Sequence, residues 1–254
     1  MIAALVARNT FREVARDRVL AGLLGAGLAL LLATQVMSPL AMGEGGRLTV
    51  DLGLSGISLL GMLVTLLTGA SLVAKEIERR TIYSLLSRPI PRAQYLIGKW
   101  AGMTLALWAV AAALGIALWV LLVARGFAPN GLSLLEAVYL AGLELMLLAS
   151  LAVMFSALST PVLSALYTLG FALVGQWSDD LRMFAAKLPS TLAPALNVAA
   201  NLVPNLPLFN MRTQAAHGEC TSLLHLGVAS AYALVYCACV LSLAAAAFES
   251  RDFK

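Results

Sequence analysis

The chain has 254 residues, 61% of them hydrophobic and only 12% charged, with a mean hydropathy of +0.89. A soluble domain carries roughly 25% charged residues and less apolar surface to hide, so the composition indicates a polytopic, all-α membrane protein. A net charge of +4 from 17 scattered Lys and Arg excludes a nucleic-acid surface, and three cysteines (Cys220, Cys237, Cys239) are too few and too clustered for a disulfide framework.

In chain order, residues 1–18 read as an interfacial segment. Wound at about 100° per residue, residues 7–17 place Ala7, Phe11, Val14 and Ala15 on one arc and Arg8, Arg12 and Arg16 in an i, i+4 stripe. Such a helix lies in the headgroup layer, on membrane lipid. A cleaved signal peptide is not expected, because a charged segment precedes an apolar core longer than the usual 7–15 residues.

A helix crossing about 30 Å of hydrocarbon needs roughly 20 apolar residues. Six stretches qualify as spans: 19–37, 52–74, 100–124, 134–158, 161–177 and 223–248. The fourth and fifth divide at Ser159-Thr160-Pro161, where proline opens a new helix. With six spans, residues 1–18, residues 75–99 and the tail share one side, and they hold 12 of the 17 basic residues against six acids. The other loops hold five of each sign. The basic side is therefore cytoplasmic, with both termini there.

The 75–99 connection is far longer than a reversal of direction requires. Residues 80–87 wind into a short amphipathic helix with Ile82, Tyr83, Leu85 and Leu86 on one side and Arg80, Thr81, Ser84 and Ser87 on the other, stopped by Pro89 and Pro91. The bland alternative is a solvated charged loop.

Here the residues resemble a family. The run Glu76-x-Glu78-x-x-Thr81-Ile82, followed by Leu85-Leu86-Ser87-x-Pro89-Ile90-x-Arg92-x-x-Tyr95-x-x-Gly98-Lys99, is similar to the signature between the second and third spans of type-2 ABC transporter permeases. Asn9-Thr10-Phe11-Arg12-Glu13 and Arg16-Asp17-Arg18 resemble the elbow helix of that family. Asn201-Leu202-x-Pro204-Asn205, Phe209-Asn210 and Phe248-Glu249-Ser250-Arg251-Asp252 extend the likeness toward permeases serving maturation of nitrous-oxide reductase, a copper enzyme.

The resemblance implies that 75–99 carries a coupling helix docking on a separate ATP-binding cassette subunit. A second copy of the chain, or a similar permease, would complete the transporter. Glu76, Glu78, Arg79, Arg80 and Thr81 would then touch the ATPase, with Ile82, Leu85 and Leu86 on the apolar side of the joint and Arg88 and Arg92 completing the set. No cofactor is expected in this chain; ATP and magnesium belong to the partner, since Gly98-Lys99 lacks the earlier glycine of a phosphate-binding loop.

Within the spans, Glu144 lies about 15 Å from the end of the fourth, where a carboxyl bonds a neighbouring helix or serves a path or gate. Glu136 reads as an interfacial residue. Gly22, Gly25, Gly27, Gly53, Gly56, Gly61, Gly98 and Gly102 read as close-packing positions. Residues 178–222, broken by Pro189, Pro194, Pro204 and Pro207, form the outer segment, which the resemblance makes re-entrant or lateral helices open to an outer-side protein.

Two other chemistries have weak signals. Met211, His217 and Cys220 are metal-ligand types, but Cys237 and Cys239 point too far apart on one helix to share an ion. Gly53-Leu54-Ser55-Gly56 with His225 matches part of the intramembrane serine protease pattern. The expectation is a permease that exports a substrate at the expense of a partner's ATP hydrolysis, with mechanical work on an outer protein as the alternative. Lipid, peptide, drug, sulfur species and copper-linked cargo all suit an apolar path with one buried acid.

Overall fold

The computed structural model describes residues 2–38, 44–74, 92–127, 130–185, 187 and 203–249. Among them every regular element is helical. Asp17 leaves the amphipathic helix α1 (Ile2–Ala15) and caps the next, its carboxylate accepting the Val19 N–H at 3.0 Å. α2 spans Arg18–Met37 and α3 spans Gly45–Val64. α3 runs on through a π turn at Thr65–Gly69 and unwinds over residues 70–73.

α4 covers Arg92–Ala124, and Asn130 caps α5 (Gly131–Leu158) through the Leu132 N–H. Ser159 is extended, and Pro161 opens α6 (Pro161–Gln176) in the first helical position, where a missing N–H costs nothing. A kink at Trp177 leads into α7 (Ser178–Ala185), whose Asp179 and Asp180 suit its N-terminal dipole. A 3-10 turn at Pro207–Phe209, α8 (Arg212–Ala216) and α9 (Leu223–Glu249) complete the order.

Among the described residues, five helices are long and apolar enough to cross a membrane: Arg18–Met37, Gly45–Gly69, Ala93–Ala124, Gly131–Leu158 and Leu223–Phe248. Pro161–Gln176, expected as a fifth span ending at 177, is apolar but only 16 residues long, about 24 Å. α3 and α4 begin well before the charge-free stretches at 52 and 100. A helix whose backbone bonds are already formed carries a charge in its end turns at little cost.

α5 is the axis of the bundle. Every residue from Leu140 to Val153 is buried, as befits a helix apolar on all faces. α4 and α9 converge on one of its carbonyls, that of Met146, which receives the Trp100 indole N–H (3.2 Å) and the Cys237 thiol (3.7 Å). The near end of the bundle holds α1, the unwound end of α3 and the end of α9. The far end holds the starts of α3, α5 and α9.

α1 lies on the start of α4 with Ala7, Thr10 and Val14 inward and Arg8, Arg12 and Arg16 exposed. Its backbone approaches closely because α4 presents glycine there. A Cβ on Gly98 would sit 2.7 Å from Val6 Cβ, and one on Gly102 would run into the Ala7 carbonyl. Lys99, only 2% exposed, faces Glu13 across this joint at 3.4 Å. Gly27 and Gly53 pack against Leu114 and Leu118, whereas Gly22 and Gly25 meet nothing within 4 Å.

Candidate functional site

An ionisable side chain inside an apolar bundle must find partners, and Glu144 finds them on three elements. It sits at mid-height of α5, roughly 20 Å from either end, and is 4% exposed. The Gln176 side-chain amide, at the very end of α6, donates to its carboxyl at 2.7 Å. Ser58 of α3 faces the same carboxyl, and the Arg212 charge acts on it from α8. Arg212 also donates to Ser55 Oγ, one turn of α3 from Ser58, at 3.2 Å.

This cluster exists because the far-end segment folds back into the bundle. α6 stops at the level of Glu144, leaving the far half of its position empty, and residues 203–216 fill it. Leu206 and Phe209 are 1% and 2% exposed, packed with Leu140, Leu143, Ala172, Ala229 and Ala233. Polar bonds hold the segment in place. Asn205 donates its backbone N–H to Tyr232 Oη (2.9 Å) and accepts from Ser178 Oγ (3.1 Å). Gly175 meets the segment so closely that a Cβ would lie 2.9 Å from the Pro204 carbonyl.

Glu136 also has a defined task. Its carboxylate accepts the Thr221 N–H at 2.7 Å and fixes the approach to α9. Nearby, Tyr139 and Ser230 share a hydroxyl–hydroxyl bond of 2.8 Å. Asn130 donates its amide to the Gly218 carbonyl and Cys220 Sγ.

At the near end, Glu76, Glu78, Arg79, Arg80, Thr81, Ile82, Leu85, Leu86 and Arg88 lie outside the described residues. Arg92 is the first residue of α4. The described roots of that connection are firmly held: Lys99 and the two glycines anchor α4 to α1, and Ser156 of α5 bonds the backbone of residues 70–74.

Ser55 and His225 have separate partners, Arg212 for the first and the Leu208 carbonyl (3.0 Å) for the second. His217 is likewise bonded to the Thr213 carbonyl. Cys237 is buried against α5 while Cys239 is exposed. Gln176, Arg212 and Ser58 were not singled out in the sequence. Gln176 falls at the edge of an apolar stretch, and Arg212 reads as a loop charge until the fold returns that loop to the interior.

The chemistry available is therefore binding and positioning: a carboxyl, a guanidinium and an amide held at mid-bundle among hydroxyls. A family model described as ABC-2 family transporter protein matches residues 6–253. Among curated proteins none matches the chain.

Proposed function

Because the chain belongs to the ABC-2 family of transporter proteins, we propose that it is a permease subunit coupled to a separate ATP-binding subunit and that it moves its substrate outward. Family membership carries with it a multi-pass membrane protein, an ATP-binding partner and pairing of permeases. The extent of the match carries the finer reading, since residues 6–253 include the entire 75–99 connection and both of its roots. Residues 76–87 act as the coupling helix, α1 as the elbow in the headgroup layer, and α6 as the sixth crossing.

The charge distribution supports an inner-membrane protein with both termini and the coupling segment in the cytoplasm. ATP and magnesium are handled by the partner, and this chain catalyses no reaction itself. Glu144, Gln176 and Arg212 form a polar gate that the substrate passes or that closes behind it. The likeness to permeases of nitrous-oxide-reductase maturation makes copper-enzyme assembly the first process to examine, starting from the genes beside this one.

Co-purification tests the coupling. An ATP-binding subunit should accompany the chain, and its hydrolysis should fall sharply on Glu78→Ala or Arg80→Ala. Unchanged binding after removal of residues 76–87 would overturn the reading. A second reading, in which the permease works mechanically on an outer protein without passing a solute, is favoured by the buried Leu206 and Phe209 that close the far half of the bundle. Substrate flux in sealed vesicles separates the two.

A further inference from the structure

The end of α3 that leads into residues 75–91 is held only in part by its own helix, through the Ala70 N–H on the Leu66 carbonyl and the Leu72 N–H on the Gly69 carbonyl. Past the π turn the backbone unwinds, and its remaining peptide groups need partners from elsewhere. One side chain supplies three bonds. Ser156, 0% exposed on the last turns of α5, accepts the N–H groups of Val73 (3.0 Å) and Ala74 (3.1 Å) and donates to the Ala70 carbonyl (2.8 Å). That is the full capacity of a hydroxyl, one donor and two acceptors.

The contact is extended by Gly69. A Cβ there would lie 2.8 Å from the Ala152 Cβ, one turn along α5 from Ser156. Beside it, the Thr68 hydroxyl is buried without a hydrogen-bond partner among the described residues. Ser156 is thus the bonded link between the root of the 75–91 connection and the helix that carries Glu144, about 18 Å away along the same rigid element.

We propose that Ser156 is a positioning residue that transmits displacement of the coupling segment into α5 and so to the Glu144 site, an inference that rests on the coupling reading given above. A rigid helix moves as a body when its end is pulled, whereas an apolar contact alone can slip. Ser150 provides the internal control. It is equally buried on α5, but its hydroxyl bonds the Leu147 carbonyl of its own helix (2.7 Å) and meets Cys237 of α9, not residues 70–74.

The test uses the permease with its ATP-binding subunit in lipid nanodiscs, in a Cys239→Ser background, so that Cys220 at the far end is the remaining exposed cysteine. ATP with vanadate should alter the rate at which maleimide labels Cys220. Ser156→Ala should keep the ATP-binding subunit and its hydrolysis within about twofold while the labelling response falls about fivefold or more. Ser156→Thr, which keeps the hydroxyl, should restore the response, and Ser150→Ala should leave it intact.

A parental response in Ser156→Ala, or an equal loss in Ser150→Ala, overturns the role of Ser156. A parent that retains no ATP-binding subunit overturns the coupling reading and this inference with it. If Ser156→Ala does not assemble, hydrogen exchange on the parent decides. ATP with vanadate should change protection at Val73 and Ala74 together with the α5 amides around Glu144, and a change at the first pair alone overturns the proposal.

Discussion

Gln176, the last residue of α6, donates its side-chain amide to Glu144 at the midpoint of α5. The bond joins the end of one helix to the middle of another, and it marks the level at which the far-end segment takes over the place of α6. A carboxyl that deep is tolerated because an amide, a hydroxyl and a guanidinium all face it.

Removing that carboxyl should therefore be felt through its partners. Glu144→Leu leaves the Gln176 amide without its acceptor and the Arg212 guanidinium, bonded to Ser55, without the charge it acts on, and should cost about 2–3 kcal/mol. Glu144→Gln keeps an oxygen acceptor and the shape, and should cost less than half as much. Unfolding midpoints in detergent compare the two directly, and equal losses would contradict the hydrogen-bonded arrangement.

Arg212 ties α8 to α3 through Ser55. Arg212→Ala should loosen the segment 203–216, seen as faster proteolysis and faster amide exchange within it. Arg212→Lys should fall between, because an ammonium supplies charge without the planar fork. The near end, including the α1 joint, should be unaffected.

Glycine substitutions separate close packing from empty space. Gly102→Val places a branched side chain against the Ala7 carbonyl and Thr10, and should cost roughly 1–3 kcal/mol with release of α1 to protease. Gly25→Ala meets no atom within 4 Å, so it should be neutral or gain up to about 1 kcal/mol from helix propensity. Similar losses at both positions would show that packing against α1 is not the cause.

The ion pair across the α1 joint should matter much less. The Glu13 side chain is 58% exposed although Lys99 is buried, so Glu13→Gln should cost under about 1 kcal/mol, and less still at high salt. A titration of unfolding against ionic strength checks both points.

Much of this was legible in the residues. The apolar stretches locate the five long helices among the described residues, Pro161 marks the break after α5, and the arc expected in residues 7–17 holds for Ala7 and Val14, which are buried, whereas Ala15 is exposed and Thr10 is buried in its stead. The limits of α3 and α4 were less visible, because Arg47, Asp51 and Lys99 lie within continuous helices. Glu144 stood out as an acid in an apolar run, but its partners did not. Gln176 and Arg212 are brought to it by a chain reversal, and hydropathy carries no signal for the depth to which a loop returns. Residues 76–88, which the resemblance assigns to an ATPase joint, lie outside the described residues.

The π turn at Thr65–Gly69 has a consequence for chain length. A π turn holds one more residue than the α turn it replaces, so the residues that follow are rotated by about 100° from where a regular helix would put them. Deleting a single residue from this stretch should let the helix close up regularly. The Ala70 carbonyl and the Val73 and Ala74 amides would then swing out of reach of the Ser156 hydroxyl. The surplus residue thus acts as a phase adjuster, and a homologue one residue shorter here should carry a different side chain at the position of Ser156.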